Sequence, residues 1–515
     1  MPLITRLMLQ NFKKFPELDL RFSNDRNILV GDNESGKSTI LLALDLVLSD
    51  SRHRVEALGV ESLLSQSAVR HFQEGERRAD QLPVLTADVF LSNGGEPDLN
   101  GRQNLAGIDA DGLRMRIAPM MEEYGQDIHH VLQQDPDNFP YEYYSVQFST
   151  FSGGHFAGFR RYLRHLFLDS ARIDNEHAAQ EYTRTVYSVN VPVADRYRQQ
   201  KMHFCARHLS AINDTLKTYQ FGVRSGAKSG LEANLDITED GISIRHRGKG
   251  RQCFIKTEFA LQRHQQQGGE IHALLLEEPE NHLSHVSMKR LVNQLATERQ
   301  TQVFIATHSS HISSRLDLRK AILLGATRPV LMNELSAETA AFFMKAPDNN
   351  VLEFALARRV LLVEGDAEFI LIEAFYHRLY GRAPEDDGVH IIAIGGTSFR
   401  RYLELARLLE NRVAALRDND GNYQQNCDER YADVLCSRSR VFADHDNSRS
   451  TFEICLYQDN ADLCDALFRG TRRTLTVQDY MLANKAEAAF QLLQLHAEKL
   501  TVPDYIQEAL AWIRE

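Results

Sequence analysis

The residues best placed to do chemistry are acids that close apolar runs. In LLVEGDAEF, residues 361–369, an apolar run leads into Glu364, then a glycine, with a second acid at Glu368. A carboxylate at the mouth of a core strand is costly to desolvate unless a cation or a hydrogen-bond donor meets it. Further on, RVAALRDNDGN ends another apolar run with Asp418 and Asp420. Two residues apart in an extended segment, both side chains point the same way, which suits a hard dication. Glu368 falls in the first turn of a helix expected to begin at Asp366 or Ala367, and this returns it toward Glu364. Gathered together, these four carboxylates would repel strongly unless magnesium or manganese neutralised them. Taken singly, EGDAE also reads as a solvated turn and DNDG as a type I′ or Asx turn.

A second chemistry sits near the N-terminus. GDNESGKS, residues 31–38, fits the pattern GxxxxGK[ST] between the apolar run NILV and the helix-forming TILLALDLVL. Gly31 and Gly36 let backbone N–H groups wrap phosphates, Lys37 reaches the β/γ oxygens, and Ser38 meets the magnesium; Asn33 and Thr39 complete the loop. ALLLEEPENHLSH supplies Glu277 to hold magnesium and Glu278 to polarise the attacking water. The same two acids also read as N-terminal charges of the helix that follows. QVFIATHSSH ends a third apolar run at His308, where a γ-phosphate sensor would stand, and a lone strand-end histidine is otherwise a polar rim residue.

These groups need strands to aim them. ITRLMLQNF, LDLRFS and NILVG read as strands, followed by a helix from Ser38, and VLTADVFL with LRMRIA suggests an antiparallel sheet. Residues 176–219 are long, polar and helix-compatible, and read as an arm or dimerisation insert. From 359 onward strand and helix alternate: RVLLVEG, AEFILIEAFYHRLY, VHIIAIGG, FRRYLELARLL and RVAALRDNDG. That alternation predicts a parallel sheet flanked by helices, with Glu364, Asp418 and Asp420 at its carboxyl edge.

Composition bounds the rest. The 515 residues allow two to four domains, and 43% hydrophobic with 25% charged residues is the balance of a folded globular protein. The net charge of −11 leaves any nucleic-acid contact to local basic patches, such as Arg160, Arg161 and Arg164 or Arg400 and Arg401. Six scattered cysteines show no metal or disulfide spacing, which fits a reduced cytoplasm, and no apolar run predicts a membrane span.

GDNESGKST, LLLEEPENHLSH and IATHSSHI resemble the head of the ABC-type, SMC/RecF-like ATPases. Glu364 followed by the DxD of Asp418 and Asp420 resembles a TOPRIM domain. In this order the motifs resemble the overcoming-lysogenization-defect (OLD) nucleases. The resemblance implies an α/β fold: an ABC-type P-loop ATPase over 1–345, carrying a helical dimerisation insert at about 176–220, then a Rossmann-like TOPRIM domain over 346–515. In such heads nucleotide is sandwiched between two copies. GKGRQCFIKTEFAL occupies the place of the signature segment but lacks its Ser-Gly-Gly, and Gln147 in YYSVQF is either the Q-loop glutamine or an ordinary strand residue. The family's late glutamate and lysine carry over to Glu453, for a second metal, and Lys485, for the cleaved phosphate.

The implied cofactors are ATP and Mg2+, or Mn2+, and the implied activity is ATP-regulated endonucleolytic cleavage of DNA in phage defence. The implied partners are a second copy of the chain and a helicase or a retron reverse transcriptase with its RNA. Topoisomerases also use TOPRIM, but Tyr480 and Tyr505 read as packing residues rather than strand-passing nucleophiles. Cleavage of RNA or tRNA, and a non-catalytic ATPase scaffold for DNA, stay open as alternatives.

Overall fold

The computed structural model describes residues 2–31, 34–92, 96–134, 138–155, 162–169, 191–209, 213–214, 235, 238–252, 254–255, 258, 272–281, 286–287, 290, 293, 301–308, 317–324, 329–345, 350–395, 398–470 and 474–515. Two compact units divide the chain: Met1–Leu29 with Asn33–His308, and Val30–Asp32 with Ser309–Glu515.

In the first unit two large sheets enclose a helix. Strands β1 (Ile4–Phe12), β2 (Phe15–Arg21), β4 (Leu85–Leu91), β5 (Ala110–Pro119) and β6 (Tyr144–Thr150) pair antiparallel in the order β2-β1-β4-β5-β6. Burial alternates in the outer strands β2 and β6, as a sheet with one covered face requires, whereas the central β4 is buried throughout. Strands β3 (Arg26–Val30), β9 (Gln302–Thr307), β8 (Ala273–Glu277) and β7 (His165–Asp169) lie side by side in that order, with β8 parallel to both its neighbours. Helix α1 (Lys37–Ser49) packs against β4 and β5 on one side and β7, β8 and β9 on the other. That position explains why its residues are apolar nearly all round, from Ile40 to Leu48, rather than striped.

One charge inside α1 is an exception. Asp45 is 1% exposed, and Arg54 reaches it at 2.5 Å and His165 Nε2 at 2.8 Å. Burial raises its pKa, but the His165 and Arg54 contacts outweigh this and hold the carboxyl below its usual range. Asp45→Ala is expected to cost about 2–4 kcal/mol, read as a lower urea midpoint, because it strands His165 and Arg54. Since the folded-state pKa is lowered, this contribution is present above about pH 4 and fades as pH falls through the lowered value.

Of the expected insert, the described part is a helix at Val191–Phe204 running into a wide turn at Cys205–Leu209; the remainder lies outside the described residues. Among the described residues no helix is long and apolar enough to cross a membrane.

The second unit carries the expected parallel sheet. Strands β10 (Arg359–Val363), β11 (Val389–Ala393), β12 (Arg412–Leu416) and β13 (Ser439–Phe442) lie in the order β11-β10-β12-β13, all parallel. The two central strands, β10 and β12, are short, almost fully buried runs, as a sheet covered by helices demands, while the outer β11 and β13 are only partly buried. Helix α2 (Asp366–Tyr380) follows β10, α3 (Phe399–Leu409) precedes β12, and α4 (Phe452–Asp459), α5 (Lys485–His496) and α6 (Asp504–Arg514) come after β13. Helix α6 packs on β10, β12 and β13. It is fastened by Trp512, whose ring lies 4.2 Å from the Arg412 guanidinium carbon and 5.8 Å from Phe442. Arg412 Nε also donates to the Trp512 carbonyl at 3.0 Å.

Candidate functional site

Two candidate sites arise, one in each unit. In the first, the chain leaves β3 and reaches α1 through a loop described from residue 34 on; Asn33 lies outside the described residues. Gly36 sits at φ 103, and a Cβ there would come within 2.3 Å of the Phe15 ring, so only glycine fits. Lys37, 5% exposed, opens α1, Ser38 is exposed and Thr39 half-buried. Among the described residues no side chain caps the start of α1, and none partners the buried Ser35 hydroxyl. Donors and a cationic residue at a helix N-terminus suit a nucleotide phosphate, so the residues present fit ATP.

Across from this loop, Glu277 ends β8 in register with Ala306 and Asp169. Glu278 follows at φ 43, its N–H bonded to the Ala306 carbonyl at 2.8 Å. Its carboxylate accepts from Asn281 at 2.8 Å, and His308 Nδ1 lies 3.3 Å from it. The structure thus brings Glu278 and His308 together. Sequence reasoning passed over Glu280, which accepts from the Thr307 hydroxyl at 2.6 Å and the His308 N–H at 3.2 Å. The run Glu277, Glu278, Glu280 held the signal, since three acids after one strand cannot all face the same cation. Gln147 stands exposed in β6 opposite Arg116, on the face away from buried Val146 and Phe148. Gln252 is buried, with its amide donating to the carbonyls of Arg245 and Arg247.

In the second unit the parallel register sets Leu362 beside Ala415, so the residues following β10 and β12 emerge together. Glu364 is half-buried with Oε2 unpartnered among the described residues, and Glu368 is buried in the first turn of α2, whose start at Asp366 matches the expected one. Asp418 accepts from the Phe452 N–H at 2.8 Å, at the start of α4. Buried Glu453 is the next residue of that helix and accepts from Lys485 Nζ at 3.0 Å. Glu453 and Lys485 are therefore drawn to each other and to the edge that carries Asp418.

The charges act on one another. Burial, then Glu368, Glu364 and Glu453, push the Asp418 carboxyl up to about 8, against the Phe452 N–H. Burial raises Glu368 to about 7, with Glu453 and Glu364 adding to it, and burial likewise raises Glu364, against Arg417. Lys485 is raised although burial lowers it, because Glu453 holds its charge. Among the described residues no three acidic, histidine or cysteine side chains stand close enough to hold a metal as they are. The array is a cluster of acids, buried at Glu368 and Glu453 and half-buried at Glu364 and Asp418, rather than a finished coordination sphere. Its orphaned Glu364 oxygen and oxygen-only donors fit a hard dication such as Mg2+ or Mn2+.

Asp420 departs from the expected geometry. Strand β12 ends at Leu416, and Asp420 lies in a turn at φ 49, exposed, paired with Arg417 at 3.1 Å. Side-chain alternation does not survive a left-handed residue, so Asp418 and Asp420 do not share one direction. The residue between them holds the loop. Asn419, 1% exposed, donates to the carbonyls of Asp444, Asp446 and Arg449 at 2.8, 3.0 and 3.3 Å and accepts from the Gly421 N–H at 2.8 Å. Arg449 is held in turn by Asp444 and Asp459, so these residues brace the loop. Asn419→Ala is expected to cost about 2–3 kcal/mol, seen as a lower melting temperature, and to weaken Mn2+ binding measured by calorimetry.

The sequence matches two family models: an AAA ATPase domain over residues 3–89 and an OLD-like TOPRIM domain over 356–420. None of the curated proteins matches it. Among solved structures, the C-terminal region of the Burkholderia pseudomallei OLD protein is 19% identical, with 31% of this chain and 98% of that one covered and a TM-score of 0.26. The RecF–ATP recombination mediator is 12% identical over 60% and 94%, at 0.33, and an Smc head bound to ScpA is 14% identical over 62% and 93%, at 0.34. The first family match spans Gly36 to Thr39 and the second Glu364 to Asp420, so the chain carries, in this order, one segment similar to an AAA ATPase domain and one similar to an OLD-like TOPRIM domain.

Proposed function

We propose that this protein is an ATP-regulated, divalent-metal-dependent endonuclease that cuts DNA, acting in the cytoplasm as a homodimer in defence against phage, alone or with a helicase or retron partner. The carrying observation is the gathering of Glu364, Glu368, Asp418, Glu453 and Lys485 at the carboxyl edge of one parallel sheet. Acids that raise one another's pKa where no other use for them is evident mark a functional site. Glu364, Glu368, Asp418 and Glu453 would hold the metal, with Asp420 joining from its turn. A pair of divalent ions bound there would supply an activated water and a stabilised leaving oxygen for phosphodiester hydrolysis.

The chain's own residues do the rest. Asn419 and the Phe452 N–H hold Asp418 in place, and Lys485 keeps a positive charge at the edge where negative charge develops on phosphorus. In the first unit Lys37 would hold the nucleotide phosphates, Ser38 and Glu277 would hold its magnesium, and Glu278, in contact with His308, would orient the attacking water. The domains would run over 1–345 and 346–515.

The test is incubation of the full-length protein with plasmid DNA and, separately, structured RNA, in Mg2+ or Mn2+, with and without ATP. Cleavage of DNA that needs metal and changes with ATP is expected. Cleavage of RNA alone would move the assignment to an RNA nuclease, and no cleavage under any of these conditions, with candidate partners added, would leave an ATPase scaffold.

A further inference from the structure

Arg417 is an odd residue to find buried. Its side chain is 3% exposed, and among the described residues nothing accepts a hydrogen bond from Nε or Nη1. Nη2 alone is matched, at 3.1 Å from Asp420 Oδ2. The guanidinium carbon lies 5.9 Å from the Phe399 ring centre and 5.7 Å from that of Tyr431, and the backbone N–H is tied to the Phe442 carbonyl at 3.0 Å. A guanidinium with two of its three nitrogens unmatched among the described residues is held more by field than by hydrogen bonds. The field belongs to the acids beside it, for Glu364 feels the Arg417 charge directly.

The two partners differ in freedom. Arg417 is fixed by the sheet and by two aromatic rings, whereas Asp420 sits on an exposed turn, with its side chain 53% exposed. Only Asp420 can move without disturbing the core. We propose that Arg417 is a built-in counter-cation of the carboxylate array: it stands in for part of the missing metal charge and holds Asp420 aside, so that metal uptake transfers Asp420 from the guanidinium to the metal. Arg417 is a positioning residue in this account, and the account rests on the metal site proposed above. Its charge keeps the empty array folded and also opposes the incoming dication. Lysine would keep the charge but lose the planar fork between the rings.

Mn2+ binding to the full-length protein, without nucleotide, tests this by calorimetry and by the electron spin resonance of free Mn2+. Wild type is expected to bind and Asp418→Asn to lose binding. Arg417→Gln is expected to bind about tenfold more tightly, since a unit charge next to the metal is removed, while Arg417→Lys stays near wild type. Equal binding by wild type and Asp418→Asn would overturn the metal site and this proposal together. Binding by wild type, lost in Asp418→Asn and no tighter in folded Arg417→Gln, would overturn the counter-cation alone. If Arg417→Gln fails to fold, wild-type crystals soaked in MnCl2 decide: Asp420 beyond hydrogen-bond reach of Arg417 supports the transfer, and Asp420 still on Arg417 beside bound metal overturns it.

Discussion

Asp418→Asn is expected to abolish phosphodiester cleavage, by about a thousandfold or more, while ATP hydrolysis continues at its wild-type rate. Asparagine keeps an acceptor for the Phe452 N–H and so spares the start of α4, but it removes the most strongly perturbed charge of the array. Stability should then move against activity. In the presence of a chelator the wild-type array must either hold like charges out of water or take up protons, and replacing one member removes its share of that cost. Roughly 1 kcal/mol of relief would raise the melting temperature of the second unit by about 2–4 °C. Adding Mn2+ should stabilise wild type and leave the variant unchanged. A variant that loses cleavage and also melts lower in chelator would show that Asp418 serves the fold rather than the metal. Melting curves with and without Mn2+, set beside a plasmid-nicking assay, separate the two.

Lys37→Ala carries the second large effect. The lysine opens α1 immediately after a glycine that tolerates no side chain, and no side chain caps the helix. Removing it takes away the one cation of the loop that reaches the phosphates, and ATP hydrolysis is expected to fall by about a hundredfold or more. Alanine keeps a strong helix former at the first position of α1, where Lys37 is 5% exposed. Folding should therefore be preserved, as circular dichroism can check. Cleavage by this variant should no longer respond to ATP, and its level, compared with wild type minus ATP and wild type plus ATP, gives the sign of the nucleotide's control. A variant that still hydrolyses ATP normally would remove Lys37 from the site.

Much of this was legible in the residues because strand and motif are contiguous. NILV, ALLLE, QVFIAT, RVLLV and RVAAL each fold as strands, with Glu277, His308, Glu364 and Asp418 at or just past the ends of the last four. The start of α2 at Asp366, which returns Glu368 to the edge, followed from the same alternation. What was not legible depends on contacts between distant segments. Asn419 reads as turn punctuation, yet its amide holds carbonyls of 444–449, some 25–30 residues away. Asp420 reads as the twin of Asp418 until its backbone turns left-handed, and the turn-favouring Asn-Asp-Gly was the sign of that. Glu280 and Arg417 carry no motif; only burial and partners reveal them.

The chain contains a single tryptophan, and Trp512 packs under Arg412 in the second unit. Its emission is thus a private optical channel for the sheet that carries the acids, silent toward melting confined to the first unit. The nucleotide site proposed at Lys37 belongs to the other unit. A shift in that emission on adding ATP would be a signal that crossed from one unit to the other, readable without substrate, label or cut DNA.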